Sequence, residues 1–353
     1  MNLYRPVGER VVKPTPSLKM LDLLLSIPMI SYLLIPAMSS YPTSLNIIFF
    51  YITWITLVMS SPPLKVEIVG TLAIRVLLYL VPSVLFFLFD VLLPSAAVVI
   101  KAQGAAGLPV NKKGKRCWKR ALKVVAWAVF NLLLGILLQG LVEVVLTKVL
   151  WMKSSIRVVA RLPLPWDVVK DLMLGFAGRE VLQYVIHRFL LHSPIAYVAK
   201  CHDKWYHSLR SPYPLTAHYD HPLAYLLSRF IPTFLPAAAC RFHLLTYLIF
   251  VALISLEETF SHSGYRVMPT SFFIGGMARR ADLHLLSKGC GNYGSWGVMD
   301  WICGTTVGHS RYAPEGEDAE HEIDIDAVLD AAVEEPRRQV RGLRTRGRGV
   351  VPS

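Results

Sequence analysis

Ten of the 11 histidines in this chain fall between His187 and His309, and none precedes His187. An even scatter would fill the first half of the chain as well, so the crowding calls for a chemical reason. Imidazole is the preferred neutral ligand of iron, zinc and copper. His218 and His221 are three apart and share one helical face. His187/His192 and His202/His207 are five apart, about 140° around an ideal helix. Those two pairs converge only where a helix ends or bulges. An isolated histidine such as His243 or His309 reads as an interfacial or hydrogen-bonded residue. For repeated pairs beside apolar runs the balance reverses, because polar groups at membrane depth are costly unless paired or ligating.

Other chemistries fit less well. The five cysteines (Cys117, Cys201, Cys240, Cys290 and Cys303) are odd in number and form no CxxC, which argues against a disulfide framework or a structural zinc site. There is no HExxH, and His321-Glu322 lacks the second histidine of that pattern. No CxxCH, Walker A or Rossmann glycine pattern is present. A two-histidine membrane haem would leave most of the cluster unused.

The elements that must position these histidines are apolar helices. The 353-residue chain is 54% hydrophobic and 17% charged, with mean hydropathy +0.44. A soluble domain is about 25% charged. The net charge of +13 sits in blocks between apolar runs, as loops facing a membrane do, and is no nucleic-acid signal. The run Leu21–Met38 is too long for a signal peptide and reads as an uncleaved anchor. Leu45–Met59 and Ala121–Leu146 are further expected spans. Val66–Ile100 is long for one crossing and short for two, so its crossing number stays open. Leu172–Leu191 is less apolar and ends in histidines, and Leu223–Leu235 and Leu244–Leu256 read as a hairpin or as half-buried helices. The basic block from Lys112 to Arg120 belongs on the cytosolic face by the positive-inside rule. After Ala313 come an acidic block and an arginine block, the pattern of a solvated tail. The expected organisation is therefore a basic N-terminal segment (1–20), transmembrane helices (21–171), a histidine-rich domain (172–312) and a charged, disordered tail (313–353). The expected fold is all-α: an integral membrane helical bundle with a cytosolic, histidine-rich, metal-binding helical cap.

From Leu172 to Tyr312 the order of motifs resembles the fatty acid hydroxylase/sterol desaturase superfamily of membrane histidine-box di-iron oxygenases. The pieces are Glu180-x3-Tyr184-x2-His187-Arg188-x3-His192, Tyr206-His207-x4-Pro212, His218-Tyr-Asp-His221-Pro222 and His262-Ser-Gly-Tyr265. Asp282-Leu-His284, Gly291-Asn-Tyr-Gly294 and Trp296-x3-Asp300-Trp301-x2-Gly304-Thr305 follow. The family's second and third boxes are usually HxxHH. Here Asp203 and Tyr206 stand at two positions of the second box, with His202 one place early. Ala281, His284 and Leu285 occupy the third.

The resemblance implies metal ligands among His187, His192, His202, His207, His218, His221, His262 and His284. Glu180 and Tyr184, on the face of His187, are then candidate partners for imidazole N–H groups. A helix ion pair with Arg179 or Lys170 is the alternative for Glu180. Asp203, Asp220 and Asp282 are candidate oxygen ligands, which iron accepts. Asp300 would orient a ligand or cap a helix, and Gly291, Gly294 and Gly304 read as turns. The altered boxes leave open a two-iron site, a one-iron site, or a silent relative that binds a lipid or a protein. The implied activity is O2-dependent oxidation of a C–H bond in a lipid, sterol or lipophilic secondary metabolite. Electrons would come from NAD(P)H through a separate reductase and cytochrome b5, and the endoplasmic reticulum is the implied location.

Overall fold

A computed structural model describes residues 41–109, 115–194, 196–209, 211–266 and 274–308. The expected anchor Leu21–Met38, the basic segment 1–20 and the tail 313–353 lie outside the described residues. Helices and the loops between them make up that range, and two isolated backbone bridges, Lys101 to Tyr265 and Arg157 to His243, are the only extended pairing among the described residues.

Helix α1 (Tyr41–Ser60) leads into α2 (Pro63–Leu92), one continuous 30-residue helix long and apolar enough to span a bilayer. Val66–Ile100 thus resolves into a single crossing followed by a short helix α3 (Pro94–Ile100). Pro82 does not break α2. A proline lacks the N–H and clashes with the carbonyl four residues back. The preceding turn, Val76–Leu80, widens to a π-helix that absorbs the misfit. Pro232 repeats the arrangement after the π-turn Leu226–Phe230. Helix α4 (Lys115–Val144), prolonged by a π-turn to Val149, and α8 (Leu244–Ser261) complete the three span-length helices. Between them run α5 (Pro165–Ile186), α6 (Tyr197–Trp205) and α7 (residues 222–239). Helices α9 (Ile274–Leu286) and α10 (Val298–Ile302) close the described chain.

The outward faces of α1, α2 and α4 are apolar and exposed, with Phe49, Leu77, Leu85, Leu122 and Leu137 turned away from the bundle. That is the surface a bilayer requires. The inward faces carry the core. Phe234, Phe242, Tyr247, Phe250 and Ile254 form its largest cluster, under α5, α7 and α8. Gly175 and Gly178 let α5 approach this cluster closely. A Cβ on Gly175 would lie 3.0 Å from the Phe242 ring, and one on Gly178 3.1 Å from Pro236.

Several buried charged and amide groups link the helices of the bundle in pairs, as low dielectric demands. Gln139 donates to Glu67 (2.7 Å) and accepts from Tyr247 (3.0 Å), joining α4, α2 and α8. Arg179 of α5 makes a two-pronged pair with Glu257 of α8 at 2.9 Å. Lys101 bonds Asp90 (2.8 Å) and the Ser263 carbonyl (2.8 Å), tying the end of α2 to the turn after α8. Leaving one member of such a buried pair alone costs about 3–5 kcal/mol.

Candidate metal centre

α5 ends in a π-turn, His187–Leu191, whose closing bond runs from the His192 amide to the His187 carbonyl (3.1 Å). An i→i+5 turn places residues five apart one above the other. The His187 and His192 rings accordingly lie 5.0 Å apart, centroid to centroid. α6 ends at Trp205 and continues as the tighter turn Tyr206–Ser208, so His202 and His207 also converge, at 5.0 Å. α9 brings His284 against them, 4.5 Å from His187 and 5.1 Å from His207. One nitrogen from each of His187, His192, His202 and His284 falls within 4.8 Å of all the others.

Hydrogen bonding shows which nitrogens are reserved. His187 Nδ1 donates to the Tyr293 carbonyl (2.9 Å), and His284 Nδ1 to the Gly291 carbonyl (2.7 Å). His202 Nδ1 bonds Asp220 Oδ2 at 2.5 Å. A carbonyl can only accept, so in His187 and His284 the proton sits on Nδ1 and Nε2 keeps its lone pair. The Nε2 atoms of His187, His192, His202, His207 and His284 are all buried and have no hydrogen-bond partner. So many orphaned ring nitrogens together, His207 Nδ1 among them, would be an unusual defect, whereas the four of His187, His192, His202 and His284 fit a metal ion as a donor set, with His207 beside them. Burial holds the His187 imidazole well below its ordinary pKa and lowers His192 to about 3, His207 to about 2 and His284 to about 4. The form favoured is the neutral one that a metal binds.

The loop carrying those carbonyls is itself clamped. Asp300, fully buried, accepts from the amides of Tyr293 (2.9 Å) and Gly294 (2.7 Å) and from Thr305 Oγ1 (2.7 Å). Glu180 accepts from the amides of Trp296 (3.0 Å) and Val298 (3.0 Å), at the start of α10, rather than from an imidazole. Tyr184 meets Thr305 Oγ1 (3.3 Å) and Arg188. Gly289 adopts φ +84°, and a Cβ there would overlap the His192 ring.

The remaining predicted residues lie elsewhere. His218 bonds Tyr225 through Nδ1 (3.0 Å) and Glu258 through Nε2 (3.0 Å). His221 caps α7, its Nδ1 accepting from the Leu223 amide. The Nδ1 edge of His262 lies 2.9 Å from the Ser261 hydroxyl, and its Nε2 accepts from Arg229 (3.1 Å). Asp203 is exposed, and Asp282 accepts from Gln103 (2.5 Å). Tyr206 stacks on His202 (5.2 Å, 11°) and Tyr293 packs against His187, His192 and His284, so aromatic rings wall the centre. The orienting carbonyls of Gly291 and Tyr293 had no signal in side-chain type. Asn131 was also missed: it donates to the carbonyls of His218 and Asp220 at 2.9 Å each and fixes the segment that carries Asp220.

Residues 172–305 match the family model for fatty acid hydroxylases. The chain is 32% identical over 160 residues to a very-long-chain aldehyde decarbonylase of Oryza sativa subsp. indica, covering 41% of this chain and 55% of the relative. It is 32% identical over 165 residues to methylsterol monooxygenase 1-1 of Arabidopsis thaliana, covering 44% and 54%. Fatty acid hydroxylase domain-containing protein 2 of Homo sapiens is 32% identical over 128 residues, covering 36% and 35%. The chain spans about half the length of the first two of these relatives. No solved structure matches it.

Proposed function

Since residues 172–305 match the fatty acid hydroxylase family model, we propose that this chain belongs to the fatty acid hydroxylase/sterol desaturase superfamily and is a membrane-bound, non-haem iron oxygenase that oxidises a C–H bond of a lipid, sterol or lipophilic secondary metabolite with O2. The observation that carries this reading is the ring of five partnerless Nε2 atoms. His187, His192, His202, His207 and His284 would hold the metal. Four of these imidazoles, His187, His192, His202 and His284, bring a nitrogen within 4.8 Å of all the others, with His207 beside them, and among the described residues no second group of three or more metal-binding side chains is near enough to share an ion. This supports one iron per chain rather than two.

Bound iron would supply O2 activation for the substrate's C–H bond, with two electrons delivered from outside the chain. The protein's own part is to orient and to exclude water. The carbonyls of Tyr293 and Gly291 and the carboxylate of Asp220 fix three of the rings with Nε2 inward. Tyr206 and Tyr293 keep the site dry. No flavin or nicotinamide pattern occurs in the sequence, so the electrons are assigned to NAD(P)H through a separate reductase and cytochrome b5. The endoplasmic reticulum, with the histidine centre facing the cytosol, is the location consistent with that supply.

Metal analysis of detergent-purified protein tests the reading. We expect about one iron per chain, lost in a His187→Ala/His284→Ala variant that stays folded. Absence of metal from both folded proteins would overturn it and favour a silent lipid- or protein-binding relative, the alternative raised by Asp203, Ala281 and Leu285 at box positions.

A further inference from the structure

His262 is prepared as a metal ligand, yet its lone pair is already taken. Its Nδ1 lies 3.2 Å from the Glu258 carbonyl, and its Nε2 lies 3.1 Å from the guanidinium of Arg229 on α7. A carbonyl can only accept and a guanidinium can only donate. Both contacts therefore put the proton on Nδ1 and leave the lone pair on Nε2. His187 and His284 are fixed in the same way, each by a carbonyl on Nδ1. Their Nε2 atoms are bare, whereas that of His262 holds a cation supplied by the chain. Burial, reinforced by the charge of Arg229, lowers His262 to about 3, so the ring meets the guanidinium in its neutral form.

The other groups around Arg229 are also of ligand type. It faces Glu258 of α8, whose Oε2 is 3.0 Å from His218 Nε2 and 2.6 Å from Arg75. His218, Glu258 and His262 are all buried. Two imidazoles and a carboxylate are donors that iron accepts, but here the positive charge among them is carried by two guanidiniums. The group adjoins the candidate metal centre. A cavity of about 40 Å³ is lined by Arg229, His262, His187 and His284 together, and one of about 20 Å³ by Arg229, His187 and His202. Spaces of that size suit a water or an ion.

We propose that the Arg229 guanidinium stands in the place of a second metal ion, as a fixed cation seated on His262 and facing Glu258 that limits the centre to one metal. A dication brought beside it would meet a charge that cannot be shed, because a guanidinium stays protonated at any working pH, and like charges repel strongly away from water. The two-iron centre implied by the resemblance therefore does not fit this chain. The altered boxes account for part of that misfit, and Arg229 accounts for the idle state of His262. The first ion rests on the oxygenase reading, while the exclusion of a second is measured apart from it.

The test is metal content by mass spectrometry on the full chain in detergent, after metal-free protein has been incubated anaerobically with excess Fe(II) and desalted. We expect about one iron per unaltered chain and about two in Arg229→Ala, with the added ion lost again in Arg229→Ala/His262→Ala. Arg229→Lys keeps the cation and should stay at the unaltered content. His262→Ala alone should also leave the content unchanged, because that ring serves the guanidinium. A second ion in the unaltered chain overturns the proposal, and so does loss of iron from folded His262→Ala. Both results stand even if Arg229→Ala fails to fold. A folded Arg229→Ala chain that gains no metal overturns it as well. An equal gain in Arg229→Lys would mean that loosened packing admits the ion, and overturns it too. No iron in the unaltered chain beside one ion in Arg229→Ala, lost with His262, keeps this proposal and sinks the oxygenase.

Discussion

Asp220 lies among the sequence's candidate oxygen ligands, and its position gives it a different task. Its Oδ2 bonds His202 Nδ1 at 2.5 Å, while Oδ1 accepts the His221 amide at 2.7 Å. The carboxylate thus sets the tautomer of an imidazole whose other nitrogen is left bare. Carboxylates in this position raise the basicity of the ring they hold, and losing one costs about 10–100-fold in metal affinity. Asp220→Asn should therefore bind iron about 10–100-fold more weakly in a chelator competition while keeping a near-normal unfolding midpoint. Unchanged affinity would remove Asp220 from the orienting role. His218 makes the complementary point. It looks like a ligand in sequence, yet its two nitrogens are already engaged by Tyr225 and Glu258.

At the scale of elements, the centre depends on how helices end. The π-turn after α5 aligns His187 with His192, and the break after α6 aligns His202 with His207. The loop between α9 and α10 supplies the carbonyls that hold His187 and His284, and Asp300 holds that loop through three hydrogen bonds. Each buried donor left without a partner costs about 1–3 kcal/mol. Asp300→Ala should therefore lower the unfolding midpoint and also reduce the iron retained on purification, although Asp300 bonds no histidine. Full iron retention in a destabilised variant would show that the loop supports the fold alone. Glu180 acts at the same scale, fastening the start of α10 to α5.

At the scale of the whole molecule, exposed apolar faces and a paired polar interior are the pattern of a protein folded in lipid. Phe49 is 72% exposed and Leu137 69%, whereas Glu67 and Glu258 are each 1% exposed and hydrogen-bonded. The chain should remain with membranes through an alkaline carbonate wash and leave them only in detergent. Release by carbonate would contradict the three span-length helices.

The sequence alone determined the helical class, one of the three span-length helices outright (Ala121–Leu146) and the presence of a histidine centre, because apolar length and residue clustering are local properties. It also flagged the two pairs five residues apart as needing an irregular helix, and the backbone provides one in each case. Whether Val66–Ile100 crosses once or twice was not legible, since a π-turn beside Pro82 leaves no mark on composition. Nor was the division of the histidines. His202 and His218 look alike as candidates, but one ring reaches the centre and the other meets Glu258, 40 residues further along the chain. Ligation depends on which nitrogens stay unpaired after folding, and only the packing of α5, α6 and α9 against one another decides that.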